Sequence, residues 1–194
     1  MFAFIKRHAE RLRYYDAITG MNKILRRYFV MNSFDGALTI FGLLLASFAA
    51  GVKDPLLIVK IGMGTAIAIG FSGLTGALLT ERAERLREIK KMELALHRRL
   101  DNTDYKRAYD FAALITAAVD GLSPLLVATI LLSPFFIIPL PHAYYYAFGL
   151  ALVFFFLLGV FLGEVSRENL ILTGVKFLFA GVACMGIILF LEGI

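Results

Sequence analysis

Five stretches of this chain are each long and apolar enough to cross a lipid bilayer as an α-helix. A helix needs roughly 20 apolar residues to cross about 30 Å of hydrocarbon. The stretches run from about Tyr28 to Gly51, Pro55 to Thr80, Tyr109 to Pro139, Tyr144 to Gly163 and Leu170 to Phe190. They lack the alternation of hydrophobic and polar residues that membrane β-strands show. The sequence therefore predicts an all-α polytopic membrane protein with five transmembrane helices.

The composition argues against a soluble enzyme. Hydrophobic residues make up 59% of the 194 positions and charged residues 18%, against about 45–50% and about 25% in soluble domains. The single cysteine, Cys184, excludes an intramolecular disulfide and any multi-cysteine metal site. The net charge is +5, and the lysine and arginine residues that cause it cluster beside the apolar stretches. No basic patch is interleaved with aromatic residues, so we expect no nucleic-acid partner.

The distribution of lysine and arginine predicts the orientation in the membrane. Seventeen of them fall within residues 1–27, within residues 81–108 and in the loop after the fourth stretch, whereas the opposite side carries only Lys53 and Lys60. Cytoplasmic loops are the ones enriched in lysine and arginine. We therefore expect a cytoplasmic N-terminus and an outside C-terminus. The absence of a targeting segment fits a prokaryotic plasma membrane.

The same pattern divides the chain into four parts. We expect a cytoplasmic amphipathic helix over residues 1–27, transmembrane helices 1 and 2 over 28–80, a cytoplasmic helical extension over 81–108 and transmembrane helices 3 to 5 over 109–194. The N-terminal helix would lie on anionic lipid through a stripe of Phe4, Ile5, His8, Leu12 and Tyr15. The extension would present an apolar stripe of Leu79, Ala83, Leu86, Ile89, Met92, Leu96 and Leu100.

Two carboxylates lie inside the apolar stretches, each followed by glycine. Asp35-Gly36 occurs early in the first stretch and Asp120-Gly121 early in the third, which also indicates a parallel repeat of two helices. An Asp at the centre of a membrane helix costs about 2.5–3.5 kcal/mol, so such residues face water, a cation or each other. Two adjacent carboxylates also hold a proton, which a divalent cation could displace. The pattern predicts a cation site, and the alternative is a pair of helix caps or interhelical hydrogen bonds.

Further side chains could complete such a site. Carboxylate, hydroxyl and thioether groups together suit borderline first-row metals, and the candidates beside the two acids are Met31, Thr39, Met63 and Ser123. Each of these also fits plain helix packing. In the extension, Glu81, Glu84 and Glu88 fall on one face and could bind a metal through oxygen. Their spacings to arginine and lysine, as in Glu81 and Arg85, equally fit salt bridges on a solvated helix face.

The order and spacing of several short motifs resemble the vacuolar iron transporter family. The motifs are the run Asp35–Gly42, the Gly121 and Pro124 pair in the third stretch, and Thr173–Lys176 with Gly181 at the start of the fifth. The resemblance implies a homodimer that exports Fe²⁺ or Mn²⁺ from the cytoplasm while protons move the other way. It places metal contact on the first-stretch acid, here Asp35.

This sequence departs from the family pattern in two places. The stretch Phe71–Gly76 lacks the methionine and the glutamate that the family carries there, and the cytoplasmic metal-binding region is shortened. Our hypothesis is that Asp120 supplies the missing acid. The sequence thus predicts a transporter rather than an enzyme, with no cofactor beyond the transported metal.

Two alternatives to transport remain open. One is a membrane scaffold or partner protein that moves no ion, and such a protein would tolerate loss of both aspartates. The other is an enzyme acting on lipid head groups, which would need an Asp-x-x-Asp-Gly arrangement. Positions 32 and 117, three residues before the two aspartates, are Asn and Ala, and this makes the enzyme the less favoured alternative.

Overall fold

The chain folds into helices joined by short turns. A computed structural model describes residues 2–101 and 103–192, without the side chains of residues 2–9, 11, 191 and 192. Its helices are α1 (Phe2–Thr19), α2 (Met21–Ala49), α3 (Pro55–Leu96), α4 (Asp104–Leu132), α5 (Pro134–Ile137), α6 (His142–Ser166) and α7 (Leu170–Glu192). In the part of the chain described, no strand occurs and five segments are long and apolar enough to span a membrane. The predicted all-helical architecture, with five helices long and apolar enough to span a membrane, is confirmed for the described residues.

The first two helices are divided at Gly20, not near residue 27 as predicted. Gly20 has a φ of 61°, a conformation that glycine adopts without the steric cost of a Cβ. The Asp16 carboxylate then accepts hydrogen bonds of 2.7 Å from both the backbone and the side-chain nitrogen of Asn22. Residues 21–27 therefore belong to the first apolar helix, because the turn is set by this glycine and its cap.

The predicted N-terminal stripe does not form one uniform face. Leu12 is 45% exposed, whereas Tyr15 is 6% exposed and packs its ring 5.6 Å from that of Phe111. The side chains of Phe4, Ile5 and His8 lie outside the described residues. Tyr15 thus belongs to a protein core and not to a lipid-facing surface.

The helices are distributed over two compact units. The first unit contains the described residues up to Phe29 together with Phe71–Leu122, and the second contains Val30–Gly70 and the described residues from Ser123 onward. Three long helices, α2, α3 and α4, contribute to both units. Each candidate site lies within one unit.

The core of the second unit is built from aromatic and branched residues of α2, α4 and α6. Phe41 and Phe155 are fully buried, and their rings meet edge to face at 5.6 Å. Phe34 adds a second edge contact to Phe155 at 5.6 Å and one to Phe177 of α7 at 4.8 Å. Such aromatic pairs add about 0.5–1.5 kcal/mol each beyond the area that they bury.

Glycines let α7 approach α6 closely. A Cβ on Gly159 would lie 2.6 Å from the backbone oxygen of Thr173, and a Cβ on Gly174 would lie 2.7 Å from the Phe156 ring. Small residues at membrane helix contacts allow backbones to approach and gain van der Waals contact. Thr173 and Gly174, which carry part of the family resemblance, therefore have a packing role here.

Candidate functional sites

Asp35 lies on the outer surface of the second unit. Its side chain is exposed, as is that of Met31 one turn earlier, which is 55% exposed. Thr39, one turn later, is half-buried, and its hydroxyl donates to the Asp35 carbonyl at 2.8 Å. Residues four apart are neighbours on a helix surface. The three predicted ligands of α2 therefore share one side of that helix.

The depth of Asp35 makes its exposure unusual. It lies eight residues after Arg27, the last basic residue before the apolar part of α2, which places it about 12 Å further along the helix axis. A lipid-facing carboxylate at that depth is unfavourable unless it meets a cation, water or a polar partner. This chain alone leaves the Asp35 side chain uncovered.

Gly36 fixes which side of α2 faces the protein. A Cβ at Gly36 would lie 2.7 Å from the Cα of Pro124, so this glycine is where the backbones of α2 and α4 come closest. Ser33, on the same buried side of α2, is 0% exposed and its hydroxyl has no partner. With Gly36 packed inward, the preceding residue, Asp35, points away from the core. In this Asp-Gly pair the glycine therefore contacts α4, and the carboxylate faces away from the core.

The other two predicted ligands of the second unit are inside it. Met63 of α3 is half-buried and packs against the apolar core, as expected of a packing methionine. Ser123 is 2% exposed, directly before Pro124 in α4. The structure therefore separates the predicted ligands into Asp35, Met31 and Thr39 on one side of α2 and two side chains, half-buried Met63 and buried Ser123, that pack inside the unit.

Asp120 belongs to the first unit and is 5% exposed. A Cβ on Gly73 would lie 2.9 Å from Asp120 Oδ2, so the carboxylate packs directly against the glycine backbone of α3. A second buried acid, Glu81, lies two helical turns further along α3 and is 5% exposed. A site shared by Asp35 and Asp120, which lie in different units, stays a prediction.

A line of buried polar side chains runs through the first unit, and we call it the polar seam. Its members are Tyr28, Glu81, Arg85, Tyr109, Thr116 and Asp120. All of them except Tyr28 are at least nine-tenths buried. Arg85 Nε lies 3.4 Å from Glu81 Oε2, and the Arg85 guanidinium carbon lies 5.3 Å from the centre of the Tyr109 ring. The charges of Glu81 and Asp120 both act on the Tyr28 phenol. Two carboxylates of the seam therefore share one electrostatic neighbour.

The contacts fix the antiparallel pairing of α3 with α4. Gly73 meets Asp120, and Arg85 meets Tyr109. The buried residues of α3 recur every four positions, at Ala77, Glu81, Arg85 and Ile89. On α4 the buried face includes Tyr109, Ala113, Thr116 and Asp120. An arginine, two acids and a threonine are therefore buried beside alanine, isoleucine and tyrosine.

The apolar stripe of the extension is not the face that the structure buries. Leu79 and Leu86, members of the predicted apolar stripe, are 70% and 46% exposed, whereas Glu81 and Arg85 are 5% exposed each. The predicted Glu81–Arg85 pair is present, but it is buried and not solvated. Glu81 and Arg85 face the core because they lie on the same side of the helix as two buried residues. These are Ala77, four residues before Glu81, and Ile89, four residues after Arg85. That alternation of small, charged and apolar residues every four positions is the signal that could have revealed the seam.

The remaining candidate acids of the extension are exposed. Glu84 and Glu88 both lie at the surface. Among the described residues, no group of three or more His, Cys, Asp or Glu side chains is arranged to hold a metal ion. The three glutamates predicted as one cytoplasmic face are thus one buried ion-pair member and two surface residues.

Several polar atoms of the seam have no hydrogen-bond partner. These are Nε and Nη2 of Arg85 and the hydroxyl of Thr116, which is 0% exposed. A buried polar group without a partner costs about 1–3 kcal/mol. We therefore expect Thr116→Val, which keeps the shape, to raise the free energy of unfolding by about 1 kcal/mol. Thermal unfolding in detergent would measure it.

Thr129→Val is the matched control for that substitution. Thr129 is exposed on the same helix and its hydroxyl donates to the Leu125 carbonyl at 2.8 Å, so we expect a change within about 0.5 kcal/mol. A lower stability of Thr116→Val than of the wild type would contradict the prediction. It would mean that the Thr116 hydroxyl has a partner, such as an internal water molecule.

The fold and these sites define the class of the protein: an α-helical protein with five helices long and apolar enough to span a membrane, and with ionisable side chains within them. No protein-family model matches the chain, and no solved structure matches it. An uncharacterized protein of Methanocaldococcus jannaschii is 32% identical over 169 residues, which cover 85% of this chain and 86% of the relative. The chain belongs to the family of that protein. The resemblance to vacuolar iron transporters stays a prediction.

Proposed function

We propose that this protein transports divalent cations, Fe²⁺ or Mn²⁺, out of the cytoplasm in exchange for protons. The observation that carries the proposal is the exposed Asp35 carboxylate in the apolar part of α2, with Met31 and Thr39 one turn to either side. A carboxylate, a thioether and a hydroxyl are oxygen and sulfur donors that suit first-row divalent metals.

A second copy of the chain would complete this site. One chain offers a single carboxylate at the α2 surface, whereas Fe²⁺ and Mn²⁺ require several donors. A two-fold axis beside α2 would place two copies of Asp35, Met31 and Thr39 face to face, as an isologous interface does. It would also remove the cost of exposing Asp35 to lipid. The functional unit we propose is therefore a homodimer.

Asp120 is the second acid of the proposed transport cycle. It is buried in the first unit, and its charge and that of Glu81 both act on the Tyr28 phenol. We assign Asp120 a role in carrying the proton that moves against the metal. The distribution of lysine and arginine supports a cytoplasmic N-terminus for this cycle, and the archaeal relative supports a prokaryotic membrane.

Metal flux into proteoliposomes tests the proposal. Purified protein would be reconstituted with a pH-sensitive dye inside the vesicles, and Fe²⁺, Mn²⁺, Co²⁺ and Zn²⁺ would be supplied outside. We expect metal uptake coupled to proton movement in the opposite direction, and we expect Asp35→Asn to reduce the flux to background. Because the Asp35 side chain is exposed in the single chain, the same substitution should leave the stability of the individual subunit near that of the wild type.

Asp104→Asn is the matched control. Asp104 is a surface carboxylate of α4 whose nearest cation is Arg107, with 3.8 Å between Asp104 Oδ1 and Arg107 Nη1, and we expect its loss to leave the flux unchanged. Wild-type flux in both Asp35→Asn and Asp120→Asn would overturn the assignment of the two acids. Absence of flux for every metal, with folded dimers, would favour a scaffold protein instead.

A further inference from the structure

A basic cavity lies at the end of α3, away from the polar seam. It has a volume of about 400 Å³ and is lined by Lys90, Glu93, Leu94, His97, Arg98 and Arg99. Ligand pockets for small molecules generally fall between about 300 and 1,000 Å³. Three of the six lining residues are permanently cationic and one is acidic. The cavity therefore has the size and the charge to hold an anion.

The acid of the cavity lining, Glu93, already accepts a hydrogen bond from the backbone. Glu93 Oε1 accepts a hydrogen bond of 2.7 Å from the backbone N–H of Leu100, which closes the turn after the helix. His97 has a φ of 50°, and the N–H of Arg98 donates to the Glu93 carbonyl at 3.2 Å. This turn brings Arg98 and Arg99 back to the same cavity as Lys90. The arrangement of cations is thus fixed by the end of the helix.

The cations of the cavity keep their charge available. The ion pairs among the described residues are Glu81 with Arg85, Asp101 with Lys106, and Asp104 with Arg107, so Lys90, Arg98 and Arg99 belong to none of them. The nearby Asp101 is engaged by Lys106, whose hydrogen bond holds the pKa of the Asp101 carboxyl below its ordinary value. Glu93 and Asp101 thus accept hydrogen bonds from the Leu100 N–H and from Lys106, and Arg99 acts on Asp101 only through its charge.

The helix end itself presents less negative charge than a bare terminus would. The last carbonyls of a helix carry partial negative charge, which disfavours an anion. Here the Glu93 carbonyl accepts from Arg98 N–H, and the Leu94 carbonyl is bonded to His97 Nδ1 at 2.8 Å. Both groups are satisfied by the turn, as at other capped helix ends. The three basic residues of the lining outnumber its one acid.

We propose that this cavity binds a phosphate anion through Lys90, Arg98 and Arg99. Arginine matches phosphate oxygens with a planar pair of N–H donors, and lysine adds a point charge. Leu94, which is 74% exposed in the same lining, gives an apolar contact for the organic part of the ligand. A phosphorylated small molecule or a phosphate-bearing lipid head group supplies this chemistry. The proposal is independent of the transport function.

Binding to the full chain in nanodiscs distinguishes the two sources of phosphate. In the first arm the nanodisc lipid is neutral and inorganic triphosphate is titrated by calorimetry. In the second arm no soluble phosphate is added, and nanodiscs containing phosphatidic acid are compared with neutral ones by the accessibility of the α3 end to limited proteolysis. Triphosphate binding in the first arm identifies a soluble ligand, and protection in the second arm alone identifies a lipid head group.

The decisive variant is Arg98→Gln with Arg99→Gln, and its matched control is Arg82→Gln with Arg87→Gln. The control pair removes the same charge from exposed positions of α3 outside the cavity. Hydrogen bonds to charged groups contribute about 1.5–3 kcal/mol each, so we expect the cavity variant to bind at least about tenfold more weakly. The control should bind as the wild type does. Equal weakening in both variants, or no binding in either arm, overturns the proposal.

Discussion

Replacing Arg85 by leucine is expected to lower the free energy of unfolding by about 3–5 kcal/mol. The side chains of Arg85 and Glu81 are 6% and 7% exposed, and removal of the arginine leaves the Glu81 carboxylate buried without its ion-pair partner. Breaking a buried ion pair from one side has this cost because the remaining charge cannot be solvated. The measurement is thermal or denaturant unfolding of the purified protein in detergent.

A double-mutant cycle identifies the cause of that loss. Glu81→Gln combined with Arg85→Leu removes both charges, so we expect it to recover part of the stability lost in Arg85→Leu alone. Arg87→Leu, on the exposed side of the same helix, serves as the control and should change stability by about 0.5 kcal/mol or less. Strictly additive effects of Glu81→Gln and Arg85→Leu would contradict a coupled pair.

The second large effect is expected at Gly36. In Gly36→Ala the new methyl group would lie 2.7 Å from Pro124 Cα and 2.8 Å from Pro124 Cβ. Backbone atoms and a proline ring cannot rotate away, so α2 and α4 would have to separate. Overpacking of this kind costs about 1–3 kcal/mol, and we expect the upper end of that range because the contact is with backbone. The melting temperature in detergent would report it.

Gly64→Ala provides the comparison for Gly36→Ala. Gly64 is exposed on α3, and a Cβ there would meet no atom within 4 Å. Alanine is favoured over glycine inside a helix by about 1 kcal/mol, so this variant should be as stable as the wild type or more stable. If both glycine variants lost stability equally, the close approach of α2 to Pro124 would not be the reason.

The sequence predicted that both Asp-Gly pairs lie in apolar helices, but it did not predict their environments. Both were predicted as intramembrane carboxylates in helices, and both lie in helices that are long and apolar enough to span a membrane. Their environments differ: Asp35 is exposed, whereas Asp120 is 5% exposed. Identical dipeptides take opposite environments because the side of a helix that faces the core is set by its neighbours. Gly36 meets Pro124, whereas Asp120 itself meets Gly73.

The sequence predicted the ion pair of the polar seam, but it did not predict that this pair is buried. The spacing of Glu81 and Arg85 predicted their pairing, and the structure confirms the pair. Periodicity assigned the apolar stripe of α3 to Leu79 and Leu86, yet those leucines are exposed and the ion pair is buried. Leucines exposed to lipid and leucines in a protein core satisfy the same apolar pattern, so periodicity cannot choose between them in a membrane helix.

The sequence by itself determined the helical class, the number of apolar helices and the positions of the charged residues along them. These follow from local chemistry: lipid satisfies no backbone hydrogen bond, so every long apolar stretch must be helical. Only the tertiary structure decided that Asp35 faces outward, that Glu81, Arg85 and Asp120 are buried in one unit, and that Arg98 and Arg99 share a cavity with Lys90. Those features depend on which helix faces meet, and contacts such as Gly36 with Pro124 and Gly73 with Asp120 set that choice between residues distant in the chain.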